Sequence, residues 1–376
     1  MRRTSDPNEL RIAVSGGSMG GLFTGLALRA AGHEVAVFER SDVELRSRGA
    51  GIVAQPLMLD VLRDHGTTPE HITTTTSRRE YLDRNGTVER GYEEAMTFTS
   101  WDAVYRCLRE SFPDDRYHSG RTTAGVDVHD GTVTVRFEEG DAVEADLAVV
   151  AEGGRSATRE ALLPDVEPED AGYVAWRGVT PEAAVRPGVR EQFEDTFTFY
   201  QGPDGLILAY LIPGPDGETA TGRRRLNWVW YDDLERAERA RLLTDADGRQ
   251  RTFSVAPGDL RVDVVDGLRT DVDERLPAVF ADLVAGTDRP FVQTIYDLTV
   301  PEMAFGRVCL LGDAAFVARP HTAAGTAKAA ADGVELAATL DGSDVVGSLR
   351  DWAASRLAAG RRLVARGQRM GDDYMD

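Results

Sequence analysis

RIAVSGGSMGGLFTGLALRAAGHEVAVFE, residues 11–39, decides the fold. Arg11 to Ser15 is a short apolar run, and Gly16-Gly17-Ser18-Met19-Gly20-Gly21 follows it. Leu22 to Ala31 then carries apolar residues at helical spacing, Gly32 stops the helix, and Glu34 to Glu39 alternates as a second strand. Strand, glycine turn, helix and strand make a βαβ unit with a parallel pair. The turn reads G-x-S-x-x-G. Gly16 supplies the tight bend, and Gly21 lets the helix approach the strand. Ser18 is small enough to keep the centre open and adds a hydroxyl. Amides at the helix N-terminus attract a pyrophosphate, and Glu39 ends the second strand where an acid accepts hydrogen bonds from a ribose. The unit therefore predicts dinucleotide binding, with Gly16, Ser18, Met19, Gly21, Glu39 and Arg40 as its cofactor residues.

The same residues satisfy G-x-S-x-G, the nucleophile elbow of serine hydrolases, with Ser18 as nucleophile and His321 as a distant base. That elbow normally follows several strands, whose loops supply the acid, base and oxyanion hole. Here it follows the first strand, and nothing else in the chain supports acyl transfer.

The surroundings of the unit narrow the class. A chain of 376 residues, 42% hydrophobic with 38 glycines and 16 prolines, predicts two or three packed domains and excludes collagen-like, coiled-coil and wholly disordered classes. A formal charge of -20 repels phosphate backbones and anionic lipid, so neither nucleic acid nor membrane is an expected partner. Of the 43 basic residues Lys328 alone is a lysine. An acidic, arginine-based surface predicts a halophilic cytoplasm in which salt screens self-repulsion, although a GC-rich genome yields the same bias. Cys107 and Cys309 are too few for a disulfide framework, and the six histidines show no metal-ligand spacing; a reducing cytoplasm and no metal are expected. The start, with Arg2 and Arg3, lacks an apolar signal region, and no apolar run is long enough to span a bilayer.

Further along, Asn85-Gly86 and Asp130-Gly131 each sit between β-like runs as hairpin turns. Ala142 to Ala151 is expected to continue the second hairpin as an antiparallel meander ending in a buried strand, Leu147 to Ala151, and Leu206 to Ile212 is expected as another buried strand. From Gly172 to Tyr231 aromatic residues at β-like spacing predict a separate sheet. Helices are expected at 275–285, 323–340 and 346–370, with a strand from Val308 to Leu311.

Three motifs carry a resemblance. Val308-Cys309-Leu310-Leu311-Gly312-Asp313-Ala314-Ala315 leads to Arg319-Pro320-His321 and then to Gly325 opening an Ala-rich helix; Ala151-Glu152-Gly153-Gly154-Arg155-Ser156-Ala157-Thr158-Arg159 stands between this and the amino-terminal unit. Together they resemble the single-component FAD-dependent aromatic hydroxylases. The stretches GIVAQP (51–56), AGYVAWRG (171–178), IPG (212–214) and RPHTAAG (319–325) are similar to the 2,6-dihydroxypyridine 3-hydroxylase-like branch. The resemblance implies an α/β fold, a Rossmann-like FAD-binding domain with an inserted mixed β-sheet substrate domain. On this reading the first comprises 1–75, 97–170 and 288–376, and the second 76–96 and 171–287. It implies Gly312 and Asp313 at the ribityl chain, Pro320, Gly325 and Thr326 at the flavin ring, and Trp176, Tyr200, Tyr210 and Trp228 around the substrate. It gives His321 the role of catalytic acid, base or hydrogen-bond partner.

The implied activity is monooxygenation. NAD(P)H, docking transiently, reduces FAD; O2 adds at flavin C4a; and the hydroperoxide oxygenates a small electron-rich aromatic or pyridine ring. A homodimer stays open as the assembly. This chain departs from the family pattern at Glu152, where an aspartate is usual, at Val150 for glycine, at Phe316 for histidine and at Trp101 for arginine. Glu152 and Phe316 leave a second reading, a flavoprotein oxidase, dehydrogenase or ligand-binding protein that does not hydroxylate.

Overall fold

The computed structural model describes residues 8–45, 50–203 and 205–375, so the Arg2-Arg3 start lies outside the described residues. Strand β1 (Arg11–Ser15), helix α1 (Met19–Ala30) and strand β2 (Glu34–Glu39) form the expected unit, with β1 and β2 parallel from Arg11 opposite Glu34 to Ser15 opposite Phe38. On its other side β1 pairs in parallel with Leu147–Val150, which pairs with Val308–Leu310. The chain thus moves outward from β1 in both directions, through β2 to Tyr117–Ser119 and through Leu147–Val150 to Ala304–Phe305. Such a reversal opens a crevice beyond the carboxyl ends of the strands. Ile12, Val14, Leu147 and Val149 are buried, as the continuous apolar runs of a doubly covered parallel sheet require.

One expectation needs correction here. Ala142–Ala145 does close an antiparallel sheet with Thr123–Val128 and Val133–Phe137, but Leu147–Val150 leaves it for the parallel sheet. Asp146 makes the switch, because its carboxylate accepts the Arg11 amide at 2.8 Å and the guanidinium at 3.0 Å. LAVV is apolar on both faces, so a strand covered on both sides buries it better than a half-exposed hairpin.

A second, ten-stranded mixed sheet contains the hairpin of Thr74–Leu82 and Val88–Ser100 around Asn85-Gly86. Its centre is Glu169–Pro181, Arg225–Asp233 and Gly205–Ile212. One face carries Trp176, Trp228 and Ile207 into a core with helices Pro187–Phe193, Val262–Arg275 and Ala278–Ala285. The other carries Tyr173, Tyr210 and Tyr231 inward. The helix expected at 275–285 starts only at Ala278, and Arg275 instead ends the separate helix Val262–Arg275. Leu276 takes an extended conformation before Pro277, whose ring disfavours the helical region for its predecessor. The late helices are Gly325–Thr339 and the 31-residue Val345–Met375, anchored where the Trp352 indole donates to the Asp332 carbonyl at 3.0 Å. Among the described residues no helix is long and apolar enough to cross a membrane. The fold is α/β, a Rossmann-like parallel domain joined to a mixed β-sheet.

Candidate active site

A cavity of about 380 Å³ lies at the carboxyl ends of the parallel strands. Gly16, Ser18 and Met19 line it from the first turn, Glu39 and Arg40 from the end of β2, and Gly312, Asp313, Gly325 and Thr326 from the late segments. Nine of the residues expected to hold the cofactor thus meet across some 300 positions of sequence. Two do not line it. Gly21 acts from behind, since a Cβ there would run into the Gly16 carbonyl and push helix from strand. Pro320 is exposed.

Two helices open into this cavity by their N-termini, α1 behind Ser18 and Gly325–Thr339 behind Ala324, and neither is capped by a side chain. Their first amides are therefore donors for a ligand rather than for the protein. Ala323 holds a left-handed conformation, φ 51°, at the entrance to the second helix. A Cβ at Gly153 or Gly325 would meet only open space. Glu39 takes the Gly17 and Ser41 amides at 2.8 and 2.9 Å, which aims the acid at the crevice rim.

The departures from the family pattern now have places. Glu152 accepts from the Ser15, Ser156 and Thr158 hydroxyls at 2.7, 2.6 and 2.7 Å and from the Thr158 amide at 3.2 Å. The longer acid thus ties this turn to β1. Trp101 lines the cavity, stacked on Tyr105 with ring centroids 5.0 Å apart. Phe316 is buried against Gly360 of the C-terminal helix. Lys328 is buried one turn into its helix and donates to the Gly312 carbonyl at 2.9 Å, to Asp313 Oδ1 at 3.1 Å and to the Phe316 carbonyl. It staples the turn that presents Asp313.

His321 lies at the junction of this loop with the inner face of the large sheet. Its Nε2 stands 2.8 Å from the Tyr173 hydroxyl, its ring 4.0 Å from that of Tyr231 and 5.2 Å from that of Tyr374. Burial, and secondarily the Arg319 charge, hold its pKa at about 3, so the imidazole is neutral at physiological pH. Burial also raises the Tyr173 and Tyr231 phenols. Among the described residues no histidine bonds Ser18, and His321 is committed to Tyr173, so the geometry does not support the hydrolase reading.

Of the four expected substrate residues, only Tyr210 belongs to the inward face. Trp176, Tyr200 and Trp228 point the other way, into the core beneath the covering helices. The Trp176 indole donates to Asp232 at 3.0 Å and the Trp228 indole to Thr287 at 2.9 Å. Strand side chains alternate, so aromatic composition cannot say which face a given ring takes. The inward residues that composition hid are Arg177 and Asn227. Asn227 sits opposite Tyr210 in register, and its Oδ1 accepts the Gly51 amide at 2.8 Å. Asn227 Nδ2 and Arg177 Nε are buried without a hydrogen-bond partner among the described residues.

The residues present fit FAD: paired uncapped helix ends for the pyrophosphate and the flavin ring, an acid at the ribose end, and Asp313 between them. Comparison with known proteins agrees. The FAD binding domain-like family matches over residues 170–297. The 2,6-dihydroxypyridine 3-monooxygenase of Paenarthrobacter nicotinovorans is 38% identical over 97% of this chain and 91% of its own length. The solved 2,6-dihydroxypyridine-3-hydroxylase from Arthrobacter nicotinovorans superposes with a TM-score of 0.92 at 36% identity, covering 98% of this chain and 94% of that one. The 6-hydroxynicotinate 3-monooxygenase of Pseudomonas fluorescens is 26% identical over 88% of this chain and 82% of its own. Motifs, crevice and full-length likeness agree: the chain belongs to the FAD-dependent aromatic hydroxylases, oxidoreductases that act as flavin monooxygenases with NAD(P)H as co-substrate.

Proposed function

We propose that the ring this monooxygenase hydroxylates is a small hydroxypyridine, attacked beside an existing ring oxygen. The observation carrying this reading is the inward face of the large sheet, where Asn227 Nδ2, on the residue paired with Tyr210, and Arg177 Nε lack partners among the described residues. Buried donors left unpaired cost about 1–3 kcal/mol each, and a ring bearing oxygens at two positions satisfies them. Two names among the relatives above, a dihydroxypyridine and a hydroxynicotinate monooxygenase, support the same substrate class.

FAD supplies the oxygen-activating chemistry when bound. The chain's own residues position the ring and exclude water. Neutral His321, its Nε2 hydrogen-bonded to the Tyr173 hydroxyl, orients that hydroxyl toward the ring hydroxyl; a pKa held at about 3 makes the imidazole a hydrogen-bond partner and not a proton acceptor. Aromatic walls from Tyr173, Tyr231 and Tyr374 keep water from this locus. Gly16, Ser18, Met19, Glu39 and Arg40 would hold the adenosine and pyrophosphate, and Gly312, Asp313, Gly325 and Thr326 the ribityl chain and ring. The division into 1–75, 97–170 and 288–376 against 76–96 and 171–287 belongs to the same reading. So do a halophilic cytoplasm, to which the -20 charge suits the chain, and a homodimer. A screen of hydroxypyridines and phenols for stimulated NAD(P)H oxidation, with labelled O2 traced into product, tests the function. Labelled product from hydroxypyridines is expected; none from any hydroxylated ring overturns the reading.

A further inference from the structure

Beside the flavin crevice lies a second cavity of about 280 Å³, lined by Arg236, Arg239, Arg251, Phe253 and Tyr296, with Asp170 as its one acid. Its walls are partly committed. Arg239 pairs with Asp170 at 2.8 Å and Arg251 with the buried Asp245 at 2.6 Å. Arg236 has no acidic partner among the described residues, and neither has Arg155 on the flavin side. In a chain with 63 acidic against 43 basic residues, two arginines without carboxylates where the cavities adjoin call for an anion.

The two cavities meet at Arg155. It lines the flavin crevice and lies over the Phe253 ring, 5.1 Å from the centroid. Phe253 in turn stacks on Tyr296, centroids 4.3 Å apart and planes 29° from parallel. Burial lowers the Arg155 pKa, and the neighbouring Arg40 and Arg251 charges lower it further, which marks unrelieved repulsion. Tyr296 reaches the turn that borders the first cavity, since a Cβ at Gly154 would meet its hydroxyl, and its phenol, raised chiefly by burial, also feels the Asp313 charge.

We propose that this cavity docks the phosphate and adenosine portion of the reduced nicotinamide dinucleotide, with Arg155 and Arg236 on its phosphates and Phe253 offering a ring face. Arginine suits the task because its planar fork binds phosphate oxygens in pairs while its face stacks on an aromatic ring. The chain has one glycine fingerprint, and FAD takes it; a co-substrate that must come and go needs a shallow charged cavity, not a second Rossmann unit. The inference rests on the hydroxylase reading for its need of NAD(P)H.

Arg236→Glu tests it in the FAD-loaded protein. Oxidised enzyme is mixed anaerobically with increasing NADH or NADPH and flavin bleaching is followed. The variant should need about tenfold more dinucleotide for half-saturation, with the limiting rate and flavin content kept; Arg236→Lys should recover most of the affinity. Binding is also read without turnover, from the change in flavin absorbance when 5′-AMP is titrated into the oxidised enzyme. AMP should bind wild type and lose affinity in Arg236→Glu, and equimolar inorganic phosphate should not displace it. Unchanged half-saturation in Arg236→Glu, or equal displacement by phosphate, overturns the assignment. Reduction of wild type without oxygenation of any ring would sink the hydroxylase reading and leave the cavity standing. No reduction by either dinucleotide would sink this inference.

Discussion

Lys328 Nζ stands 3.1 Å from Asp313 Oδ1 and 2.9 Å from the Gly312 carbonyl, joining the helix that opens on the crevice at Gly325 to the turn that presents Asp313. The one lysine of the chain is thus buried beneath the crevice, while the solvent face is left to arginine.

Lys328→Met should release that turn. Losing a buried ammonium leaves the Gly312 and Phe316 carbonyls without their donor, which costs about 2–4 kcal/mol. A fall in Tm of several degrees and weaker FAD retention are expected in thermal melts and flavin titration of the apoprotein; wild-type melting and affinity would contradict the role.

Gly21→Val should give colourless protein. Its Cβ would collide with the Gly16 carbonyl, and the α1 amides would be wedged away from the pyrophosphate. Absorbance at the flavin bands of the purified, folded variant decides it, and a full flavin complement would refute the placement.

His321→Gln should bind FAD and consume NAD(P)H but release more hydrogen peroxide per turnover, because the Tyr173 hydroxyl loses the imidazole that orients it toward the ring. The same residue shapes acid stability. Its folded pKa of about 3 lies below the ordinary 6.5, so unfolding takes up a proton between those values. Its contribution is complete above pH 6.5 and declines as pH falls toward 3, by at most about 1.4 kcal/mol per pH unit. Urea melts across pH 3.5–7.5 should show a shallower acid slope for His321→Gln than for wild type; identical slopes would mean the imidazole is not buried neutral.

Trp228→Phe and Asn227→Leu should part stability from recognition. The first removes the indole bond to Thr287 on the covered face, expected to cost about 1–2 kcal/mol with KM for the aromatic unchanged. The second removes the inward donor and should raise KM at least about tenfold. A substrate effect from Trp228→Phe equal to that of Asn227→Leu would reverse the assignment of faces.

Stability should rise with KCl from millimolar to molar concentration, since screening relieves repulsion in a -20 chain. A melting temperature flat or falling over that series would remove the halophilic reading.

The glycine-turn half of the crevice was legible because its determinants are local. Strand, turn, helix and strand are read from periodicity and glycine placement within thirty residues, and the structure keeps Gly16, Ser18, Met19, Glu39 and Arg40 on one crevice. Asp313, Gly325 and Thr326 were legible only by resemblance, since nothing in their spacing says that they face Gly16. Chain composition likewise set the charge and the aromatic sheet.

The tertiary structure alone decided which faces are inward. Trp176, Tyr200 and Trp228 look like pocket walls by composition, yet strand register turns them into the covered core and puts Arg177, Asn227 and Tyr210 on the opposite face. A period of two lets one residue's shift exchange the faces of a whole strand, and that phase depends on which neighbours pair and which helices cover the sheet. Pairing of this kind joins Tyr173 to His321 across 148 positions, a contact that no local pattern encodes.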